Sequence, residues 1–222
     1  MDPAKSAILF FDVLNGYFHG GENPMSEVKR RMVDNAVRLM KAGRAASVPI
    51  FFAKVNHRSD GATSAQLRTD TDNALKPWPN GVVTKTRARV SGDDESSDPI
   101  PELEPQPGDY FIPKYRWNAF FQTALDLSLR SREIDTVIIS GGSSEIGLTA
   151  TIFGGRDLDY NMIVVRDACA SFHNQRAHDT LMDLVFPRMS RVRTTDQVIS
   201  MISGATESDL LTKTQLTDSH NR

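Results

Sequence analysis

Three polar stretches of this 222-residue chain carry residue types that could do chemistry, and each stands at the end of an apolar burst. Asp12 closes the burst 7–12, Lys114 closes 109–114, and Ser140-Gly141-Gly142-Ser143-Ser144-Glu145-Ile146-Gly147 runs on from 136–140. A carboxylate, an ammonium and backbone N–H groups at a helix start would supply a general acid or base, a charge stabiliser and an oxyanion site. A plainer reading exists for each, since Asp often only forms a turn and a strand-end Lys is often a solvated gatekeeper. Spacing alone favours the plainer reading. The glycine stretch also overlaps a phosphate-cradling loop, Gly142-x-x-x-x-Gly147-Leu148-Thr149, but Leu148 stands where that loop needs a lysine to reach the terminal phosphates. Nucleotide hydrolysis there is disfavoured. Ser143 or Ser144 could act as a nucleophile only with a base beside it, and the neighbouring sequence offers no His. Cys169, the one thiol of the chain, is a further candidate nucleophile.

The elements that must position these groups show in the alternation of apolar bursts with stretches of helical period. The bursts are 7–12, 49–55, 109–114, 136–140, 162–166 and 191–194, rich in branched and aromatic residues, and the pattern predicts an α/β fold with a parallel sheet wound with helices. Ligands in such folds sit beyond the carboxyl ends of the strands, which is where Asp12, Lys114 and the glycine stretch fall. Val28, Met32, Val33, Ala36, Val37 and Met40 form one apolar stripe on a helix that Ser26 caps. Further helices are expected over 118–132, 146–153, 174–186 and 195–202. One domain is expected over residues 1–203. Within it, residues 56–108 hold six of the eleven prolines and the run Asp93-Asp94-Glu95, and read as an irregular lid or partner-contact arm. Residues 204–222 read as a polar tail.

Composition narrows the function classes. With 26 Lys and Arg against 28 Asp and Glu the formal net charge is −2, which provides no field for gathering nucleic acid or anionic lipid. Neither nucleic acid nor membrane is expected as a partner. One cysteine cannot make an internal disulfide or a multi-cysteine metal cage, so a cytoplasmic setting is expected. The first apolar run stops at Asp12 and reads as a strand and not as a signal peptide.

Four blocks of the sequence together resemble one family. Phe10-Phe11-Asp12-Val13-Leu14-Asn15-Gly16-Tyr17, Lys114-Tyr115-Arg116-Trp117-Asn118-Ala119-Phe120-Phe121, Ile139-Ser140-Gly141-Gly142-Ser143-Ser144-Glu145-Ile146-Gly147 and Val164-Val165-Arg166-Asp167-Ala168 are similar to the signature blocks of the isochorismatase-like hydrolases, within the cysteine hydrolase superfamily. The resemblance extends to about residue 202. It implies a three-layer α-β-α, Rossmann-like fold with a six-stranded parallel sheet. It also implies a homodimer or homotetramer, a small-molecule substrate, and a catalytic Asp, Lys and Cys. Asp12 and Lys114 match the first two positions. By the same resemblance, the N–H groups of Ser143 and Gly147 form the oxyanion site around a cis peptide at Gly142–Ser143.

Gly147 stands at the third catalytic position, where most of the family carries its nucleophilic cysteine. Glycine has no side chain with which to form a thioester. Cys169, two residues beyond Asp167, lies outside the family's thiol position, and a buried or incidental role is expected for it. The isochorismatases proper are similar in carrying Gly there, and they hydrolyse a vinyl ether with the Asp as an acid. Two features depart from them: Lys54-Val55-Asn56-His57-Arg58 replaces their Gln-Pro stretch, and Leu14 replaces a frequent Gln. The expected activity is therefore water-dependent hydrolysis of a vinyl ether or C–N bond, without cofactor, metal or covalent intermediate. The alternatives are an amidohydrolase whose cysteine was replaced at 147 and a catalytically silent binding or oligomeric module. An adjacent ammonium lowers a carboxyl pKa, so Asp12 is expected to be a base unless burial outweighs Lys114, with a water in the space of the missing sulfur. Phe18, His57, Arg58, Trp117 and Phe120 are candidate substrate contacts. His57 matches a metal ligand of the nicotinamidase branch, but Val55 replaces its Asp partner, and no metal site is expected.

Overall fold

A computed structural model describes residues 1–20, 25–63, 90–172 and 174–204. The expected tail after Gly204 and the central part of the 56–108 arm lie outside the described residues.

The elements follow the expected alternation. β1 (Ser6–Phe11) leads through the short α1 (Asn15–Phe18) to α2 (Glu27–Ala45) and β2 (Ile50–Val55). β3 (Tyr110–Lys114), α3 (Leu125–Arg130), β4 (Thr136–Gly142), α4 (Thr149–Asp157), β5 (Asn161–Ala170), α5 (Gln175–Thr180), β6 (Arg191–Arg193) and α6 (Thr195–Ser203) follow. The six strands pair in the order β3-β2-β1-β4-β5-β6, all in parallel. β1 and β4 are neighbours at the centre, where the winding direction reverses and a crevice opens at their carboxyl ends.

Alternation along the strands sorts the core onto two faces. Ala7, Leu9 and Phe11 of β1 pack with Leu148, Ile152 and Phe186 on one face. Ile8 and Phe10 pack with Met32, Ala36, Leu39 and Met40 of α2 on the other. Both faces being covered explains why the central strands are continuous apolar runs. Ser26 caps α2 by accepting the Lys29 N–H, and the stripe is buried as expected except for Val37, which is half-buried, and Val28, which is exposed. Among the described residues no helix is long and apolar enough to cross a membrane.

Two expected helices are broken. Over 118–132 only Leu125–Arg130 is helical, because Asn118 Oδ1 accepts the Phe120 N–H, Thr123 Oγ1 accepts the Leu125 N–H, and Gln122 takes a φ of 54°. These local side-chain bonds compete with the helix ladder. The helix expected over 174–186 is α5 continued by a π turn (Leu181–Val185) and a 3₁₀ turn (Phe186–Arg188).

β1 and β4 approach so closely that glycine is required at 141. Its φ is 132°, and a β-carbon there would lie 2.0 Å from the Phe11 carbonyl oxygen. Gly141→Ala is expected to cost about 2–4 kcal/mol, measured by urea denaturation, because both the conformation and the contact forbid a side chain.

Candidate active site

The two central strands and β3 deliver the three polar stretches to one place. Asp12 leaves β1 with a φ of 53°, its N–H still bonded to the Ala53 carbonyl. Lys114 is the last residue of β3, paired in register with Val55. Lys114 Nζ donates to Asp12 Oδ2 at 2.8 Å, although the two residues are 102 apart in sequence. Both are buried, at 8% and 4% exposure.

The second oxygen, Asp12 Oδ1, is buried with no hydrogen-bond partner. Burial raises the Asp12 carboxyl above its ordinary value, and the opposing charge and hydrogen bond of Lys114 do not overcome it. Of the two influences the sequence expectation set against each other, burial is the larger, and sequence shows the ammonium and not the depth of burial.

Beyond β4 the peptide Gly142–Ser143 is cis, at the position the family pattern implies. The chain then makes a π turn over Ser144–Leu148 that enters α4, with Gly147 buried inside it. The Ser143 hydroxyl is buried without a partner. A β-carbon on Gly147 would lie 2.5 Å from both Cε1 and Cζ of the Phe11 ring. The ring, itself 1% exposed, fills the place where a side chain would begin, and Lys114 Nζ sits 4.5 Å from its centroid.

Asp12 and Lys114 form the floor of a cavity of about 550 Å³ whose wall includes Tyr17, His57, Arg116, Trp117 and Phe121. Of the expected substrate contacts, His57 and Trp117 line it. Phe18 does not, since it packs in the α2-side core against Phe172, and its neighbour Tyr17 faces the cavity instead. Phe120 likewise stacks on Tyr160 in the other core, and Phe121 takes the lining position. Arg58 is exposed and ion-paired with Asp60, outside the cavity lining. His57 Nδ1 is buried and unpartnered, and burial, followed by the charges of Lys114 and Arg116, pushes its pKa below the ordinary value. The ring is neutral at pH 7 and free to bond a ligand. Among the described residues no group of three His, Cys, Asp or Glu side chains gathers.

One more reading is altered by a tertiary contact, and that of Cys169 agrees with the structure. Ser144 does have a histidine beside it: Oγ lies 2.9 Å from His178 Nδ1, across 34 residues of sequence. No local signal could have paired them. Cys169 is buried in β5 near the Ile139 carbonyl, and burial pushes its thiol up to about 12. A protonated, enclosed thiol is a poor nucleophile. Iodoacetamide at pH 7.5 is expected to leave Cys169 unmodified until denaturant is added, as read by mass spectrometry.

Comparison with known proteins agrees with this architecture. The isochorismatase domain model matches residues 6–197. The isochorismatase family protein YwoC of Bacillus subtilis (strain 168) is 30% identical over 202 residues, covering 91% of this chain and 96% of its own. The ureidoacrylate amidohydrolase RutB of Serratia proteamaculans (strain 568) is 28% identical over 174 residues, covering 75% of this chain and 70% of its own. Among solved structures, an isochorismatase family protein from Burkholderia thailandensis superposes with a TM-score of 0.75 at 27% identity, over 91% of this chain and 97% of that one. With its six-stranded parallel sheet and its matched length, the chain belongs to the isochorismatase family of hydrolases.

Proposed function

We propose that the protein hydrolyses the vinyl ether bond of a small carboxylate-bearing substrate with Asp12 as general acid and without a covalent or metal-bound intermediate. The observation that carries this reading is the Phe11 ring against Gly147, which excludes a side-chain nucleophile and leaves the proton chemistry to Asp12. Lys114, Arg116 and neutral His57 on the cavity wall suit an anionic substrate.

Asp12 Oδ1–H gives its proton to the terminal vinyl carbon, and the ether oxygen takes up the positive charge as an oxocarbenium ion. Water adds to the ether-bearing carbon of that ion, giving a hemiketal, and returns a proton to Asp12. The hemiketal then collapses to a ketone and releases the alcohol. Lys114, 2.8 Å from Oδ2, stabilises the carboxylate that exists between the two transfers. Burial favours the neutral acid and the ammonium favours its anion, so the opposing influences serve successive steps. The N–H groups of Ser143 and Gly147 hold the oxygen of the adding water.

A second reading, C–N bond hydrolysis, is supported by the similarity to proteins named ureidoacrylate amidohydrolase. Water would add directly to the carbonyl, with the same N–H groups on the oxyanion. An assay of isochorismate beside a panel of small amides and ureas separates the two. Isochorismate turnover lost in Asp12→Asn supports the first reading, amide or urea turnover the second, and activity insensitive to Asp12→Asn overturns both.

A further inference from the structure

A second cavity, of about 290 Å³, shares no lining residue with the Asp12 cavity. Its wall includes Arg31 and Asn35 of α2, Arg166 and Asp167 of β5, and Gln175 and His178 of α5. His178 is 5% exposed and bridges two environments. One side of its ring reaches this cavity, while Nδ1 bonds Ser144, which is completely buried. Ser144 lines neither cavity, so its hydroxyl is a structural partner and not a nucleophile. It directly follows Ser143 and opens the π turn that carries Gly147, and its carbonyl is held separately by Thr149 Oγ1 at 2.7 Å. Hydroxyl and carbonyl together tie this residue to α5 on one side and α4 on the other.

We propose that His178 is a positioning residue: by holding Ser144 Oγ it fixes the turn 143–147, whose Ser143 and Gly147 N–H groups are the oxygen-holding donors of the proposed reaction. This rests on the hydrolytic reading above. Among the described residues His178 is the one partner of Ser144 Oγ. A neutral imidazole protonated on Nε2 accepts the serine proton at Nδ1. Protonation would reverse the bond, with Nδ1–H donating to Oγ and the enclosed serine proton left without its acceptor, which loosens the hold on the turn. Burial, first among its influences, holds the His178 pKa below the ordinary value, so the ring stays neutral at pH 7. The charged groups around it are Arg31 of α2, Arg166 and Asp167 of β5, Glu145 of the turn, Asp179 of α5 and Asp183 beyond it. Arg166 is ion-paired with both Asp179 and Asp183, which quiets their charge at the ring.

The test uses the full chain carrying His178→Ala, His178→Asn, Ser144→Ala and the double alanine variant. Asn places an amide near the Nδ1 position and does not titrate. With the substrate identified by the panel above, each alanine variant is expected to lose roughly 10- to 100-fold in kcat with KM unchanged, the double variant no more than either. His178→Asn is expected to recover most of the rate and to lose the acid limb of the kcat profile. In ¹⁵N-labelled protein, the Ser143 and Gly147 amide resonances are expected to move in Ser144→Ala and return toward wild type in His178→Asn. Resonances that stay in place, or additive kinetic losses, overturn the proposal. Moved resonances in a protein that hydrolyses nothing uphold the positioning role and sink only the hydrolytic reading. If His178→Ala does not fold, Ser144→Ala and His178→Asn decide by the same readings.

Discussion

Asp12→Asn is expected to lower kcat by about 10²–10⁴-fold while leaving the fold intact, since the amide keeps the carboxyl's shape and cannot give up a proton to the substrate. The size follows from Asp12 being the one carboxyl among the described residues lining the cavity, with Oδ1 buried and unpartnered. Its pH dependence has a definite sign. Because burial raises the carboxyl above its ordinary value, the active, protonated form persists to higher pH than for an exposed Asp, and activity falls as pH rises through the raised pKa. A base would show the opposite limb, with activity rising through the same pH range. Lys114 is the influence that lowers this pKa, so Lys114→Met is expected to move the descending limb further toward alkaline pH. It should also lower kcat, because the transient carboxylate loses its counter-ion. A kcat profile from pH 4 to 10 on the two variants and the wild type checks both signs. A profile with no descending limb, or a descending limb that moves toward acid in Lys114→Met, would falsify the acid assignment.

The positions of Asp12, Lys114 and the glycine turn were legible because each closes an apolar run, and in a parallel sheet all strand ends on one side converge. Ser26 and the stripe from Met32 to Met40 were legible for a similar reason: a cap and a helical period are both local. What sequence could not show were balances and meetings across distance. That burial outweighs Lys114 at Asp12 depends on how deep the β1–β4 crevice lies, a property of the whole sheet. Ser144 and His178 meet because α5 packs against the turn after β4, and nothing near either residue announces the other. The aromatic wall was misassigned by one position twice, with Phe18 and Phe120 in the cores while Tyr17 and Phe121 line the cavity. In both segments the backbone is irregular or only a few residues long, so no period tells inward from outward. The helix expected over 118–132 failed for a related reason, since Asn118 and Thr123 bond their own backbone and compete with the apolar pattern.

Gly147→Cys tests whether this site is an amidase that has lost its thiol, and it is expected not to restore one. The introduced β-carbon would stand 2.5 Å from two carbons of the Phe11 ring. The ring has little room to yield, being buried within the core cluster of β1 and β4 with Lys114 Nζ near its face. Overpacking of this kind costs about 1–3 kcal/mol. The Gly147→Cys protein is therefore expected to unfold at lower urea concentration and to turn over no amide by thioester chemistry. Replacing the ring at the same time, as Phe11→Val with Gly147→Cys, opens the space and is expected to regain most of the lost stability. Phe11→Val alone is expected to cost stability through the cavity it leaves, so the two changes should be strongly non-additive when measured as a double-mutant cycle. Such coupling would mean that Phe11 and Gly147 form one packing unit, with the aromatic ring built into the place a nucleophile holds elsewhere in the family. Additive effects, or an amidase gained by Gly147→Cys alone, would show instead that the ring moves aside freely and that the site keeps the geometry of a thiol enzyme.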